Sequence, residues 1–227
     1  MKFFDFFDKV IFLTLSNNYE RHKNINNIIN KFEIKNSYIY YSTKRPSIDL
    51  KCSTLFPQLK TDYYDSIELN NKYIYANNFN VSLNHFTIIK IAYELGYNNI
   101  LICEDDVSFI DSNLLDLLIN KIDFDYDIIK FSNDTMIQKT LTLNHLNNEK
   151  VLFNFINKRS LPNHFCNLSS QCYAISRNGM KIYIDYVLSN EILCEDLIFK
   201  ELIKNTDIKL YGSKYKLITN EFESTII

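Results

Sequence analysis

Three consecutive carboxylates, Glu104-Asp105-Asp106, stand directly after the apolar run Ile100-Leu101-Ile102-Cys103. Adjacent carboxylates repel, and something has to offset that cost. A hard divalent cation would do so. Carboxylate oxygens suit Mg2+ or Mn2+, and such an ion can in turn hold a diphosphate. The carboxylates of the cluster, Glu104 and Asp106 among them, are therefore candidate metal ligands. The plain alternative is a solvated acidic turn. The position argues against it, because ligands of open α/β sheets bind outside the carboxyl ends of the strands.

A second acidic pair lies in Cys194-Glu195-Asp196-Leu197, just before a helical pattern. Either Glu195 or Asp196 could act as a base near a metal site. The competing reading is that acids at a helix N-terminus simply favour its dipole. Arg21 falls in the first turn of the first helix, beyond the carboxyl end of the first strand. It could meet a phosphate or a nucleotide, or be a surface arginine. His85 lies in the helix that leads into the acidic strand, where a lone histidine is ordinarily a hydrogen-bonded structural residue.

These residues need elements to position them. Val10-Ile11-Phe12-Leu13-Thr14-Leu15 reads as a buried strand, short, apolar and partly β-branched. Asn17 with Glu20 three residues on suggests a capping box. Ile25, Ile28, Ile29 and Phe32 then share one helical face. Tyr38-Ile39-Tyr40-Tyr41 reads as the next strand. A helix is expected from Ser82 to Leu95, closed by Gly96 as a C-terminal cap. Ile100 to Cys103 lacks polar alternation, as befits a strand covered on both faces. A helix follows from Ser112 to Ile122, then a strand from Asp127 to Phe131. Cys172 to Ile175 is a further strand, Asn178 to Leu188 a helix, and Leu197, Ile198, Leu202 and Ile203 mark another. Short apolar pieces around Leu210 and Leu217 close the chain. The alternation predicts an α/β fold with a mostly parallel central sheet flanked by helices, in a single domain over 1–227. Residues 44–79 and 135–170 read as loop-rich and as the acceptor side of the site.

Composition narrows the classes. The chain has 227 residues, 46% of them hydrophobic, enough for a substantial core. The formal charge of −2 gives no electrostatic reason to expect a nucleic-acid partner. The 5 cysteines form no C-x-x-C pair, which fits neither a disulfide framework nor a zinc site. A reducing, cytoplasmic setting is the simpler expectation, with Cys103 as a small core residue. The opening MKFFDFFDKVIFLTL is interrupted by Asp5 and Asp8 and lacks a cleavage site, unlike a signal peptide. No apolar run reaches the roughly 18–20 residues of a membrane span. Contact with a membrane would be peripheral at most, through Phe3, Phe4, Phe6 and Phe7. The alternative is that these residues pack on the core.

Four segments together resemble glycosyltransferase family 25, the lipooligosaccharide and collagen galactosyltransferase-like group with a GT-A fold. Ile11 to Leu15 followed by Arg21 is similar to the family's strand ending in Asn-Leu with an arginine shortly after, although Thr14 replaces the Asn. Ser82-Leu83-Asn84-His85 through Gly96 to Glu104-Asp105-Asp106-Val107 resembles its Ser-His helix running into a Glu-Asp-Asp strand, with Asn84 where the family has Ser. Tyr173-Ala174-Ile175-Ser176-Arg177-Asn178-Gly179 resembles its strand-to-helix segment. Glu195-Asp196-Leu197 resembles a later Asp-containing motif.

The resemblance implies a nucleotide-sugar donor, a UDP-hexose first, and a glycan or glycoprotein acceptor. It implies inversion at the anomeric carbon with Mn2+ or Mg2+ as cofactor. Asp106 would bind the metal, with Glu104 or Asp105 near the ribose or the sugar. Leu15, Arg21 and His85 belong to the matched donor-side segments, and Arg21 or Arg177 would help hold phosphate. Asp196 would take the proton from the acceptor hydroxyl, with Glu195 as its substitute. Two other readings compete. One is an inactive sugar-nucleotide-binding relative. The other is a receiver-type signalling module, whose first strand also ends in acidic residues.

Overall fold

The computed structural model describes residues 1–42, 72–132, 139–159, 170–190 and 195–220, with only the backbone described for 72–80, 196, 197, 219 and 220. The chain begins with strand β1 (Lys9–Leu15), helix α1 (Tyr19–Lys31) and strand β2 (Ser37–Ser42). The long helix α2 (Lys72–Glu94) leads into β3 (Asn99–Glu104), and β4 (Val107–Phe109) follows after a two-residue turn. Then come α3 (Ser112–Ile119), β5 (Ile128–Lys130), β6 (Lys139–Thr140), α4 (Leu143–Asn148) and β7 (Phe153–Ile156). The remainder is β8 (Cys172–Ser176), α5 (Arg177–Ser189), α6 (Glu195–Asn205), β9 (Leu210–Ser213), β10 (Tyr215–Lys216) and β11 (Ile218–Asn220).

Seven strands form the central sheet in the order β2-β1-β3-β8-β5-β9-β7. β1 pairs parallel with β2 and β3, and β5 pairs parallel with β9. β8 runs antiparallel to both of its neighbours, and β7 antiparallel to β9. The sheet is thus mostly parallel, five strands against two, between two helical layers. This is the α/β, Rossmann-like arrangement that the alternation of elements predicts and that a GT-A-type domain requires. It is not the doubly wound 2-1-3-4-5 order of a receiver-like sheet.

Each face of the sheet closes its own core. Leu101 and Cys103 of β3 point to one side, with Ile25 and Ile28 of α1 and Leu115 and Leu118 of α3. Ile100 and Ile102 point to the other, with Ile89 of α2, Met180 of α5 and Phe199 of α6. That two-sided burial explains the unbroken apolar runs. Cys103 and Cys172 are cross-strand partners, both fully buried, with their sulfurs 3.6 Å apart. Both are free thiols.

Phe3, Phe4 and Phe7 are buried and pack edge-on against Phe131, Phe109 and Phe32. Their side chains serve the core, which leaves them unavailable to a membrane surface. Among the described residues, no helix is long and apolar enough to cross a membrane.

Four local expectations shift. The N-cap of α1 is Asn18, whose side chain accepts from the Arg21 amide, not Asn17. Helix α3 ends at Ile119, three residues before the expected Ile122. Helix α2 begins at Lys72, so the end of the expected loop 44–79 is helical; residues 44–71 lie outside the described part. The stretch Tyr73 to Asn80 holds three Asn and several aromatics, weak helix formers that hide a helix from propensity. Within 135–170, α4 is closed by a capping box between Thr142 and His145. Histidine stands where the usual signature has Glu or Gln. Gly96 does cap α2 as expected, at φ 83°.

Candidate active site

The acidic cluster sits at the carboxyl edge of the sheet. Glu104 is the last residue of β3, and Asp105 and Asp106 form the turn into β4. The register pairs Glu104 with Leu13 on β1, so the turn lies beside the end of the first strand. Asn24 of α1 holds the turn's backbone, donating to the carbonyls of Asp105 (3.4 Å) and Val107 (3.2 Å).

The three carboxylates have three different environments. Asp105 is engaged within the protein. Its Oδ2 accepts a 2.6 Å bond from the Thr14 hydroxyl, and its Oδ1 forms an ion pair with Arg21 Nη1. The Arg21 and Asp105 side chains are only 12% and 8% exposed. Arg21 therefore compensates the acidic turn, where a sequence reading aims it at a phosphate. Thr14, the residue that departs from the family pattern, is part of the same lock.

Asp106 is the carboxylate without such a lock. It is buried, and its Oδ1 has no hydrogen-bond partner among the described residues. Burial pushes its pKa up to about 6, with Glu104 adding to the rise and Arg21 opposing it. An orphaned buried oxygen of this kind is costly unless something meets it.

Glu104 is held from the other side. Its Oε1 accepts a 2.7 Å bond from the Ser170 hydroxyl and lies 3.7 Å from His85 Nε2. Burial raises its pKa, but His85 and Ser170 outweigh that and the net direction is down. The side chain remains 26% exposed. His85 is fully buried, with Nδ1 2.8 Å from the Tyr173 hydroxyl and its ring stacked on that of Tyr173. Burial pulls the His85 pKa down, and Glu195 and Glu104 together turn the net shift upward. The lone histidine thus faces the acidic cluster at Glu104, at ion-pair distance, with no hydrogen bond on Nε2 among the described residues.

The same buried network extends to β5 and α6. Lys130 is 1% exposed, with its ammonium 3.9 Å from the centre of the Phe199 ring. Glu195 is buried, and its Oε2 accepts a 2.7 Å bond from Tyr183 on α5. Glu195 thus stands enclosed, at the start of α6, with one oxygen already held by the protein. Its charge acts on His85, raising the pKa of the imidazole. Asp196, the other candidate, stands in the first turn of α6; its side chain lies outside the described part.

The last two candidates stand at opposite edges of the sheet. Leu15 ends β1 as expected, and its carbonyl receives His22 Nε2 at 2.7 Å. Arg177 does not join the site. Because β8 runs against its neighbours, Ser176 pairs with Asn99 at the amino end of β3. Five residues of strand then separate Arg177 from the acidic turn, about 17 Å. Its guanidinium instead donates to the carbonyls of Tyr93 (3.1 Å) and Tyr97 (3.3 Å), where it fastens the end of α2.

Sequence reasoning missed Thr14, Lys130, Ser170 and Tyr183 as members of the site and its support. Lys130 carried a usable signal, a lysine inside an otherwise apolar strand. The others did not, because hydroxyls are common and their partners lie far away in sequence. Among the described residues no group of three or more His, Cys, Asp or Glu side chains converges as a metal cage. A Mg2+-type site does not need one. Such ions bind through one or two carboxylates together with waters and substrate phosphates.

No protein-family model matches the chain, and no curated protein matches it in sequence. Solved structures resemble it at a distance. A197 from STIV is 12% identical with a TM-score of 0.47, over 95% of this chain and 86% of that one. A 4-diphosphocytidyl-2C-methyl-D-erythritol synthase from Anaerococcus prevotii is 12% identical with a TM-score of 0.43, over 96% and 75%. A glycosyltransferase involved in glycosylation of the major capsid of PBCV-1 is 10% identical with a TM-score of 0.35, over 90% and 92%. Likenesses of this size carry no function across, and the assignment of the chain to a Rossmann-like α/β fold rests on its own sheet order and strand directions.

Proposed function

We propose that this chain is a glycosyltransferase that moves a hexose from a nucleotide-sugar, a UDP-hexose first, to a hydroxyl of a glycan or glycoprotein acceptor, with inversion. One observation carries the reading. Asp106 presents a buried carboxylate oxygen with no hydrogen-bond partner among the described residues, in the turn at the carboxyl end of a central strand. That is where α/β sheets bind their ligands, and an unmet carboxylate there calls for a cation.

The donor set fits Mn2+ or Mg2+ through Asp106. Glu104 is the weaker of the two expected ligands, because its Oε1 is already engaged by Ser170 and faced by His85. When bound, the ion would neutralise charge building on the leaving diphosphate. Arg21 and Thr14 hold Asp105 so that the turn keeps its shape. Asp196, in the first turn of α6, is the proposed base that takes the acceptor's proton in a single displacement. Cytoplasmic location and a donor of the UDP class belong to the same proposal.

The test is a panel of UDP-sugars assayed for donor hydrolysis with Mn2+ and with chelator. Metal-dependent hydrolysis that Asp106→Asn abolishes, with the fold intact, is the expected result. An active Asp106→Asn enzyme would overturn it. A second reading is a sugar-nucleotide-binding relative without turnover. It is favoured by the engagement of Asp105 and of Glu104 Oε1 within the protein, which leaves only part of the acidic turn for a cation. Binding of a UDP-sugar with no hydrolysis or transfer across an acceptor screen would select it.

A further inference from the structure

Behind Glu104 stands a chain of buried polar groups that the proposed reaction does not itself use. Ser170 Oγ donates to Oε1 at 2.7 Å, and His85 Nε2, which has no hydrogen-bond partner among the described residues, faces the same oxygen at 3.7 Å, within ion-pair range. Among the described contacts Oε2 takes no hydrogen bond, although the carboxylate is held on its other side. His85 in turn is fixed twice by Tyr173, through the 2.8 Å contact of Nδ1 with the hydroxyl and through ring stacking at 5.7 Å. Tyr173 is fully buried in the central strand β8 and packs edge-on against Phe199. It is therefore a rigid anchor. The order is a fixed phenol, a fixed imidazole, and a carboxylate with one oxygen pinned and 26% of its side chain exposed at the sheet edge.

This arrangement restricts the rotation of one side chain. A glutamate at the end of a strand has three rotatable bonds, and ordering it costs conformational entropy. Pinning Oε1 from behind removes that freedom before a ligand arrives. A leucine or phenylalanine in place of His85 would fill the volume as well. Neither would face Glu104 with a donor, so packing alone does not account for a fully buried imidazole here.

We propose that Tyr173 and His85 are positioning residues that act through Glu104, presenting its Oε2 to a hydroxyl of the bound donor. The proposal rests on the glycosyltransferase reading for the identity of that hydroxyl, a ribose or hexose hydroxyl of a nucleotide-sugar. The orientation of Glu104 by Tyr173 and His85 does not depend on it.

The test is a double-mutant cycle on donor hydrolysis with the full chain. Glu104→Gln and Tyr173→Phe are each expected to raise the donor KM about tenfold, the size of a lost hydrogen bond to a charged group. The kcat should change much less. The double variant should be no worse than Glu104→Gln alone, because Tyr173 acts through Glu104. Additive effects on KM would overturn the proposal. So would a Tyr173→Phe protein that loses thermal stability yet keeps its donor KM. If the wild-type chain hydrolyses no nucleotide-sugar, the functional reading fails and the positioning is judged by NMR of the carboxylate carbon of Glu104. A shift of that signal in both Tyr173→Phe and His85→Gln supports the positioning. A signal unchanged in either variant overturns it.

Discussion

Arg21 and Asp105 form a largely buried ion pair, the arginine on the first helix and the aspartate in the acidic turn. Two positions 84 residues apart in sequence thereby fix each other. The pair divides the labour of the turn. Asp105 faces inward and holds the structure, which leaves Asp106 and Glu104 for ligands.

Removing one partner of a buried pair strands the other charge, which typically costs 3–5 kcal/mol. Arg21→Met is expected to lower stability by about 3 kcal/mol, read by urea unfolding. Thr14→Val should cost about 1–2 kcal/mol through the same carboxylate. A fully stable Arg21→Met protein would show that the arginine is not structural.

Asp106 sets a pH dependence with a definite sign. Its pKa is raised from 3.8 to about 6 in the folded chain. Between those values the folded state holds a proton that the unfolded state has lost, so stability falls as pH rises from 4 to 6. At pH 7 the cost of the ionised group is about 3 kcal/mol. Asp106→Asn is expected to raise the melting temperature at pH 7 and to lose that advantage near pH 4. Differential scanning calorimetry at the two pH values checks it. Cation binding has the opposite trend, weakening as pH drops through about 6 and the carboxylate protonates.

Gly179 is required by packing rather than by backbone conformation. A Cβ at this position would lie 2.3 Å from the backbone oxygen of Asp127. Neither backbone can yield without parting α5 from the strand it covers. Gly179→Ala is expected to cost about 3 kcal/mol, at the upper end of overpacking effects, in an unfolding titration.

The N-terminal phenylalanines give a core prediction that opposes a surface role. Phe3 is 1% exposed and touches Phe4, Phe7 and Phe131. Phe3→Ala should destabilise by about 3–5 kcal/mol. Sedimentation with anionic vesicles should give the same bound fraction for wild type and variant, provided both are assayed where they are folded.

Much of this was legible in the chain. Short apolar runs gave β1, β3 and β8, and the run before Glu104 placed the acidic cluster at a strand's carboxyl end. Periodicity gave the buried face of α1. Strand direction was not legible, since an apolar run reads the same whichever way it points, so nothing local opposed the placing of Arg177 at the site that the family resemblance implied. The roles of Arg21 and His85 were not legible either. Each depends on one distant partner, Asp105 or Tyr173, that no local pattern singles out. The burial of Glu195 was not legible, because an acid before a helix looks solvated, whereas here it accepts from the Tyr183 hydroxyl in the core.

The reversed strand β8 sorts the chain's tolerance to added length. Its first residues arrive at the edge that carries Glu104, as the bond from the Glu104 amide to the Gln171 carbonyl shows. Its last residue departs at the far edge, beside Asn99. A peptide inserted just before Ser170 therefore lands against the chemistry, while lengthening at the other end of the strand falls a full strand length away. Added length ahead of β8 thus enters beside the candidate site, and added length behind it enters at the opposite edge of the sheet.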